Sequence, residues 1–301
     1  MNSSSIVGLN CLMRSKLFVP GSRPSLFAKA VLGPADVLSF DLEDSVLPNK
    51  KLEARAAVAE FLRLHSTGRK KIMIARVNEL GSEWFQADIE MLVGTGLDII
   101  NLPKVESADQ VHMAVDEISR IERSQSLTKE TGILANIETP KGLRLAFEIA
   151  TANPRVMGLQ IGFTDFSRVC GIDSRGRTAL SSVRLSVRFA AAEAGIATFD
   201  GAFLDVKSPD LFRANAEEAR DLGFVGKSCI HPTQVPIANE VFSPDAGEVA
   251  RAESILAAAL EKTQAGVGAF LHEGKMIDAP VISRAKALVS RATALREHST
   301  K

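Results

Sequence analysis

The sequence predicts an α/β fold, a (β/α)8 TIM barrel with a C-terminal helical extension, and three observations lead there. Short β-rich apolar runs recur eight times, segments of helical period separate them, and the residues that close several runs are charged or polar. Alternating strand and helix imply a parallel sheet. Eight such units favour closure into a barrel over an open doubly wound sheet, and no GxGxxG loop follows the first run to support dinucleotide binding. At 301 residues the chain has room for one barrel of roughly 250 residues plus an appendage.

The runs predicted as strands are Lys16–Val19, Val37–Asp41, Ile72–Val77, Asp98–Leu102, Ile133–Glu138, Met157–Phe163, Ala202–Val206 and Phe224–Ile230. Between them, spacings such as Leu52, Ala56, Ala59, Leu62 and Leu211, Ala214, Glu218, Leu222 predict crossover helices. Residues 1–13 lack a long apolar run and a signal-peptidase site, and read as a loose arm. The barrel is expected over 14–243 and the extension over 244–301. In the extension, a helical pattern around Glu248–Lys262 leads through a link at Ala265–Gly268 to a final helix from about Pro280 to Glu297. Its apolar face, Val281, Ala285, Leu288, Val289 and Ala292, packs on the same subunit or serves as a lid on a neighbouring one.

Hydrophobic residues make up 46% and charged residues 24%, enough for a substantial core. Lys plus Arg number 36 and Asp plus Glu also 36, so no global field draws the chain to nucleic acid or an anionic membrane. No stretch approaches the 18 or so apolar residues of a membrane span. Three widely spaced cysteines, Cys11, Cys170 and Cys229, read as free buried thiols in a reducing, cytoplasmic setting.

In a parallel barrel the active site forms at the carboxyl ends of the strands. Those ends here read Asp41-Leu-Glu43-Asp44, Arg76-Val-Asn78, Pro103-Lys104-Val-Glu106, Glu138-Thr-Pro and Gly162-Phe-Thr-Asp165. Glu138 and Asp165 end consecutive strands, and two carboxylates turned into one crevice repel unless a cation or a shared proton intervenes. With no His or Cys cluster nearby, oxygen-only ligation favours Mg²⁺, with Mn²⁺ as a substitute, over zinc. The bland alternatives are that Glu138 caps the following helix and Asp165 pairs with Arg168. Arg76, between apolar neighbours, needs an anion: a substrate carboxylate, a developing enolate, or an internal salt bridge to Glu43 or Asp44.

At these residues the chain resembles the citrate lyase β-subunit-like family of the HpcH/HpaI aldolase/citrate lyase superfamily, near its malyl-CoA, β-methylmalyl-CoA and citramalyl-CoA lyases. The marks are Arg14-Ser-Lys-Leu-Phe-Val-Pro-Gly-Ser-Arg-Pro, Phe40-Asp-Leu-Glu-Asp-Ser-Val, Lys51 with Arg55, Arg76-Val-Asn, Leu102-Pro-Lys-Val-Glu, Ile137-Glu-Thr, Gly226-Lys-Ser-Cys-Ile-His-Pro-Thr-Gln and Gly274-Lys-Met-Ile-Asp-Ala-Pro. The resemblance implies that Glu138 and Asp165 hold Mg²⁺ and that Arg76 binds substrate. Glu43 and Asp44 would position Arg76 or a water on the metal. It implies that Phe18, Arg23 and Lys29 hold coenzyme A, with Ile230 and His231 lining the thioester pocket. Read without it, Arg23 and Lys29 are solvated charges and Asp278 is a helix N-cap. With it, Asp278 handles the proton on the acyl carbon from a neighbouring subunit, in a homotrimer or hexamer.

The implied reaction is cleavage, or formation by condensation, of a 3-hydroxyacyl-CoA such as malyl-CoA or citramalyl-CoA into an acyl-CoA and a 2-oxo acid. Two alternatives are a metal-dependent aldolase of free 4-hydroxy-2-oxo acids and a citrate lyase β subunit acting only with an acyl carrier protein. Where many relatives carry Gly-Ala-Glu-Asp-Leu, this chain has Gly162-Phe163-Thr164-Asp165-Phe166, so Thr164 enters the substrate-binding set with an altered pocket wall.

Overall fold

A computed structural model describes residues 13–68, 70–173, 176–264 and 267–300, the side chains of 298–300 excepted. It divides into two compact units, Met1–Phe242 and Ser243–Lys301. The first is a closed parallel barrel of β1 (Ser15–Pro20), β2 (Val37–Asp41), β3 (Ile72–Arg76), β4 (Ile99–Leu102), β5 (Gly132–Ile137), β6 (Val156–Ile161), β7 (Ala197–Asp200) and β8 (Gly226–Cys229). Neighbours pair in chain order and β1 closes on β8 through Ser15 and Lys227. The expected fold is the observed one.

The alternation of side chains along each strand sorts residues into two cores. Outward-facing Leu17, Val19, Leu38 and Phe40 pack with helical residues such as Phe27, Val58 and Leu62, all buried. A fully buried side chain of this size contributes about 1.5–3 kcal/mol, so the crossover helices are held by apolar contact. Inside the barrel, Val37, Ile74, Ile99, Leu134, Met157 and Phe199 form a separate apolar plug with Met13. Met13 is thus part of the core, whereas the rest of the expected arm, with Cys11, lies outside the described residues. The plug fills the interior on the amino side and leaves the carboxyl rim for polar groups.

One strand differs from expectation. β7 is Ala197–Asp200, and the apolar run at 202–206 is irregular, with Leu204 and Val206 exposed. The helix Arg177–Glu193 ends at Gly195, whose φ of +71° gives the left-handed turn that lets the chain enter β7 directly. Cys229 is buried as expected, but Cys170 is exposed at the end of the helix Phe163–Cys170. Burial in the apolar wall pushes the Cys229 thiol up to about 12, so it stays protonated.

The second unit has a helix Ala246–Gln264, an antiparallel hairpin of Phe270–His272 and Lys275–Ile277, and a helix Ala279–Thr300 that packs on the helix Ala246–Gln264. The hairpin was absent from the sequence reading. Glu273 and Gly274, with φ of +49° and +75°, make the two-residue turn whose twist suits paired strands. Ala265 of the expected link lies outside the described residues, as does residue 266. Asp278 caps the last helix, its Oδ1 accepting from Val281 N at 3.2 Å. No helix among the described residues is long and apolar enough to cross a membrane.

Candidate active site

Parallel strands bring all their carboxyl ends to one rim, where a cavity of about 330 Å³ opens. Of the residues singled out from the sequence, Phe18, Asp44, Arg76, Glu138, Thr164, Asp165 and Ile230 line it. Glu43 lines an adjoining hollow with Lys104, and Asp44 borders both. Arg23, Lys29 and His231 are exposed and do not line the cavity; His231 Nδ1 instead contacts Thr233 Oγ1 at 2.8 Å.

Arg76 is the hub. Its Nε and Nη2 donate to the two oxygens of Asp41 at 2.7 and 2.9 Å, and its Nη1 reaches Glu43 at 2.7 Å and Asp44 at 3.2 Å. The ring of Phe18 lies 5.4 Å from the guanidinium. The internal salt bridges expected for Arg76 therefore exist, with Asp41 as the bidentate partner that the sequence reading did not choose. Burial disfavours the charge on Arg76, but the carboxylates beside it outweigh that and hold it cationic. Asp41 shows the converse: burial pushes its carboxyl up, and Arg76 pulls it below the usual range.

Glu138, 2% exposed, follows β5. Its Oε1 accepts from the backbone N of Lys104 at 2.6 Å, and Oε2 has no protein donor among the described residues. Burial, reinforced by repulsion from Glu43, pushes the Glu138 carboxyl up to about 7. Lys104 ties two parts of the rim together. Its backbone has a φ of +48°, unusual for a side-chain-bearing residue, and its Nζ pairs with Glu43 at 2.9 Å. Burial raises the Glu43 carboxyl as well, against the pull of Arg76.

Gly162 supplies the room for Glu138: a Cβ there would lie 2.0 Å from Glu138 Oε2. The helix Phe163–Cys170 starts at the next residue and carries Asp165 in its first turn. Asp165 pairs with Arg168 at 3.0 Å, as the bland alternative held, on a side chain 70% exposed at the arginine. Such an exposed pair is weak, about 0–1 kcal/mol, and does not fix the carboxylate. Glu138, in contrast, caps nothing: Thr139 is the N-cap of Pro140–Arg144 and accepts from Gly142 N at 3.0 Å.

Beyond the sequence candidates, the structure places Asp41, Asn136, Gln160 and Ser228 on the cavity wall. Asp41 was legible within Asp41-Leu-Glu43-Asp44. Gln160 and Ser228 lie inside strand runs, where the sequence does not say which face meets the cavity.

A closed parallel barrel with an anchored arginine and two inward carboxylates at its carboxyl rim defines an enzyme site of the TIM-barrel type. The model of the family "HpcH/HpaI aldolase/citrate lyase" matches residues 14–232. Citrate lyase subunit beta of Escherichia coli (strain K12) is 39% identical over 281 residues, 93% of either chain. The L-malyl-CoA/beta-methylmalyl-CoA lyase of Cereibacter sphaeroides is 34% identical over 300 residues, 93% of this chain and 94% of that one. The crystal structure of the protein CitE from Mycobacterium tuberculosis, in complex with magnesium, acetoacetate and coenzyme A, superposes with a TM-score of 0.72 at 31% identity, covering 93% of this chain and 97% of that one. This chain belongs to the HpcH/HpaI aldolase/citrate lyase family. It is a carbon–carbon lyase.

Proposed function

We propose that the chain is a Mg²⁺-dependent lyase that cleaves a 3-hydroxyacyl-CoA, such as malyl-CoA or citramalyl-CoA, into an acyl-CoA and a 2-oxo acid, or runs the reverse condensation. The observation that carries this reading is the shared cavity of Arg76, Glu138 and Asp165. Glu138 is buried beside other carboxylates with one oxygen lacking a protein donor, a position that a cation relieves. Among the described residues no group of three His, Cys, Asp or Glu is arranged to hold a metal. Two hard oxygen ligands with the remaining positions left to water and substrate suit Mg²⁺, which keeps several such ligands. Glu138 and Asp165 would hold it, and when bound it supplies Lewis-acid polarisation of substrate oxygens.

The chain's own residues then divide the work. Arg76, fixed by Asp41, Glu43 and Asp44, offers a preorganised positive charge to a carboxylate or to the oxygen of a thioester enolate. Glu43 and Asp44 set the angle of that guanidinium. Phe18, Thr164 and Ile230 shape the wall against which the acyl part lies. Phe18, Arg23, Lys29, Ile230 and His231 are assigned to coenzyme A, and Asp278 to the proton on the acyl carbon, on the strength of the family motifs. The relative named for L-malyl-CoA and beta-methylmalyl-CoA supports the thioester over a free acid.

The decisive experiment incubates the purified protein with Mg²⁺ and a panel of hydroxyacyl-CoA thioesters beside the corresponding free acids, following released 2-oxo acid. Thioester turnover is expected, abolished by EDTA. Cleavage of free acids alone would remove coenzyme A from the proposal, and turnover only with an acyl carrier partner would make the chain a subunit of a complex.

A further inference from the structure

Beneath the rim lies a polar layer that neither the cation ligands nor Arg76 explains. Alternate residues of a strand face the same side, so those two positions before Phe18, Asp41, Glu138 and Ile230 face the barrel axis one step deeper. They are Lys16, Ser39, Asn136 and Ser228, joined by Asn101 and Gln160, and all six are buried. Below them the interior is hydrocarbon. Such a layer is costly unless its groups are paired, yet Asn136 Oδ1, Ser39 Oγ and both polar atoms of Asn101 have no partner among the described residues.

Gln160 is held in a definite sense. Its Oε1 accepts from Lys16 Nζ, and Ser228 Oγ donates to the same oxygen at 3.4 Å. An amine has more hydrogens to give than lone pairs to offer, so this contact turns the amide with its oxygen toward Lys16. The amide nitrogen donates to no protein group among the described residues, while Gln160 and Asn136 both line the cavity. The floor thus presents a free donor, Gln160 Nε2, beside Asn136, whose Oδ1 is itself buried away from the cavity.

We propose that Lys16 and Gln160 form a specificity element: Lys16 orients the Gln160 amide so that Nε2 donates to an acceptor oxygen on the substituent beside the oxo carbon of the 2-oxo acid fragment. This rests on the lyase reading for its choice of fragment. With the acid's carboxylate and oxo oxygen taken at the rim, the remaining substituent points down the barrel axis onto this floor. The hydrogen of glyoxylate or the methyl of pyruvate, the acids released from malyl-CoA and citramalyl-CoA, leaves Nε2 unpaired there, whereas a hydroxylated or carboxylated substituent accepts from it. This floor therefore favours a 3-hydroxyacyl-CoA that releases a polar-substituted 2-oxo acid over either of those two. Gln160 touches the ligand; Lys16 is a positioning residue.

Calorimetric titration with Mg²⁺ and two near-isosteric acids, 3-hydroxypyruvate and 2-oxobutyrate, tests this without turnover. The wild-type protein should bind 3-hydroxypyruvate at least about tenfold more tightly, as sites built to pair a substrate oxygen do. Gln160→Met should bring the two within about threefold by weakening only the hydroxylated acid. Lys16→Met should narrow the gap in the same direction, because the freed amide can turn. Should Lys16→Met fail to fold, the double variant Lys16→Met/Gln160→Met restores an all-apolar contact and should show no preference. Equal affinities in the wild type, no binding of either acid, or a preference that survives Gln160→Met overturns the inference. A preference without thioester turnover sinks the hydroxyacyl-CoA reading alone; turnover without the preference sinks only this inference.

Discussion

Glu138 sits where burial and neighbouring carboxylates both oppose its charge, and its carboxyl is pushed up to about 7 from an ordinary 4.5. A carboxyl whose folded pKa is raised adds no penalty below its unfolded value. The penalty grows as pH rises from about 4.5 and is complete above about 7, where it amounts to about 3 kcal/mol. In EDTA, Glu138→Gln should therefore melt at a higher temperature than the wild type at pH 8, with the gain shrinking as pH falls and gone near pH 4.5. Thermal melts across that range check this; a constant difference would mean that the carboxyl is not held neutral by its surroundings. The same substitution should abolish Mg²⁺-dependent turnover. Arg76 poses the opposite problem, a cation made tolerable by its partners. Asp41→Asn removes the bidentate partner of a guanidinium only 14% exposed, so it should cost about 3 kcal/mol of stability and most of the activity, by denaturant melts and initial rates. Asp44→Asn removes a 60% exposed partner at 3.2 Å and should change stability by about 0–1 kcal/mol.

The strand ends were legible because their chemistry departs from an apolar background, as at Arg76-Val-Asn78 and Glu138-Thr-Pro. What was not legible is which of two faces a polar residue inside a run takes. Lys16 lies within a predicted strand and reads as a lysine that could reach solvent from either face; only closure of the barrel buries it beneath Phe18. β7 was misplaced because Ala202–Val206 is a longer apolar run than Ala197-Thr-Phe-Asp200, and run length outweighed the punctuation at Gly195. The structure makes that difference measurable. Phe199→Ala opens the apolar plug and should cost about 3–5 kcal/mol, while Leu204→Ala, at a residue 61% exposed, should cost little in a denaturant melt. Equal costs would put the strand where the apolar run suggested. The turn from β6 into the next helix is a second element-level device. Gly162→Ala places a Cβ against Glu138 Oε2 and should lower Mg²⁺ affinity and turnover well before it lowers the melting temperature.

Across the whole molecule, Asp278 carries two separable roles, a helix cap and the proposed acid. It belongs to the second compact unit, where it caps the helix Ala279–Thr300, and that cap alone accounts for its hydrogen bond to Val281 N. A cap is replaceable: Asp278→Ser keeps a side-chain oxygen at the start of the helix and should hold stability within about 1 kcal/mol of the wild type. A proton-handling carboxyl is not, so the same variant should lose turnover while keeping its melting temperature. Where the acid comes from a second copy of the chain, inactive Arg76→Ala and Asp278→Ser chains complement each other. A mixed oligomer then contains some sites with an intact Arg76 from one chain and an intact Asp278 from the other. Co-expression with two different tags, tandem purification of the mixed species and assay with the active thioester should recover a fraction of wild-type turnover. Neither variant alone should show it. Activity of Asp278→Ser equal to the wild type reduces Asp278 to a cap. Loss of activity with no recovery in purified mixed oligomers keeps the acid and places it within its own chain.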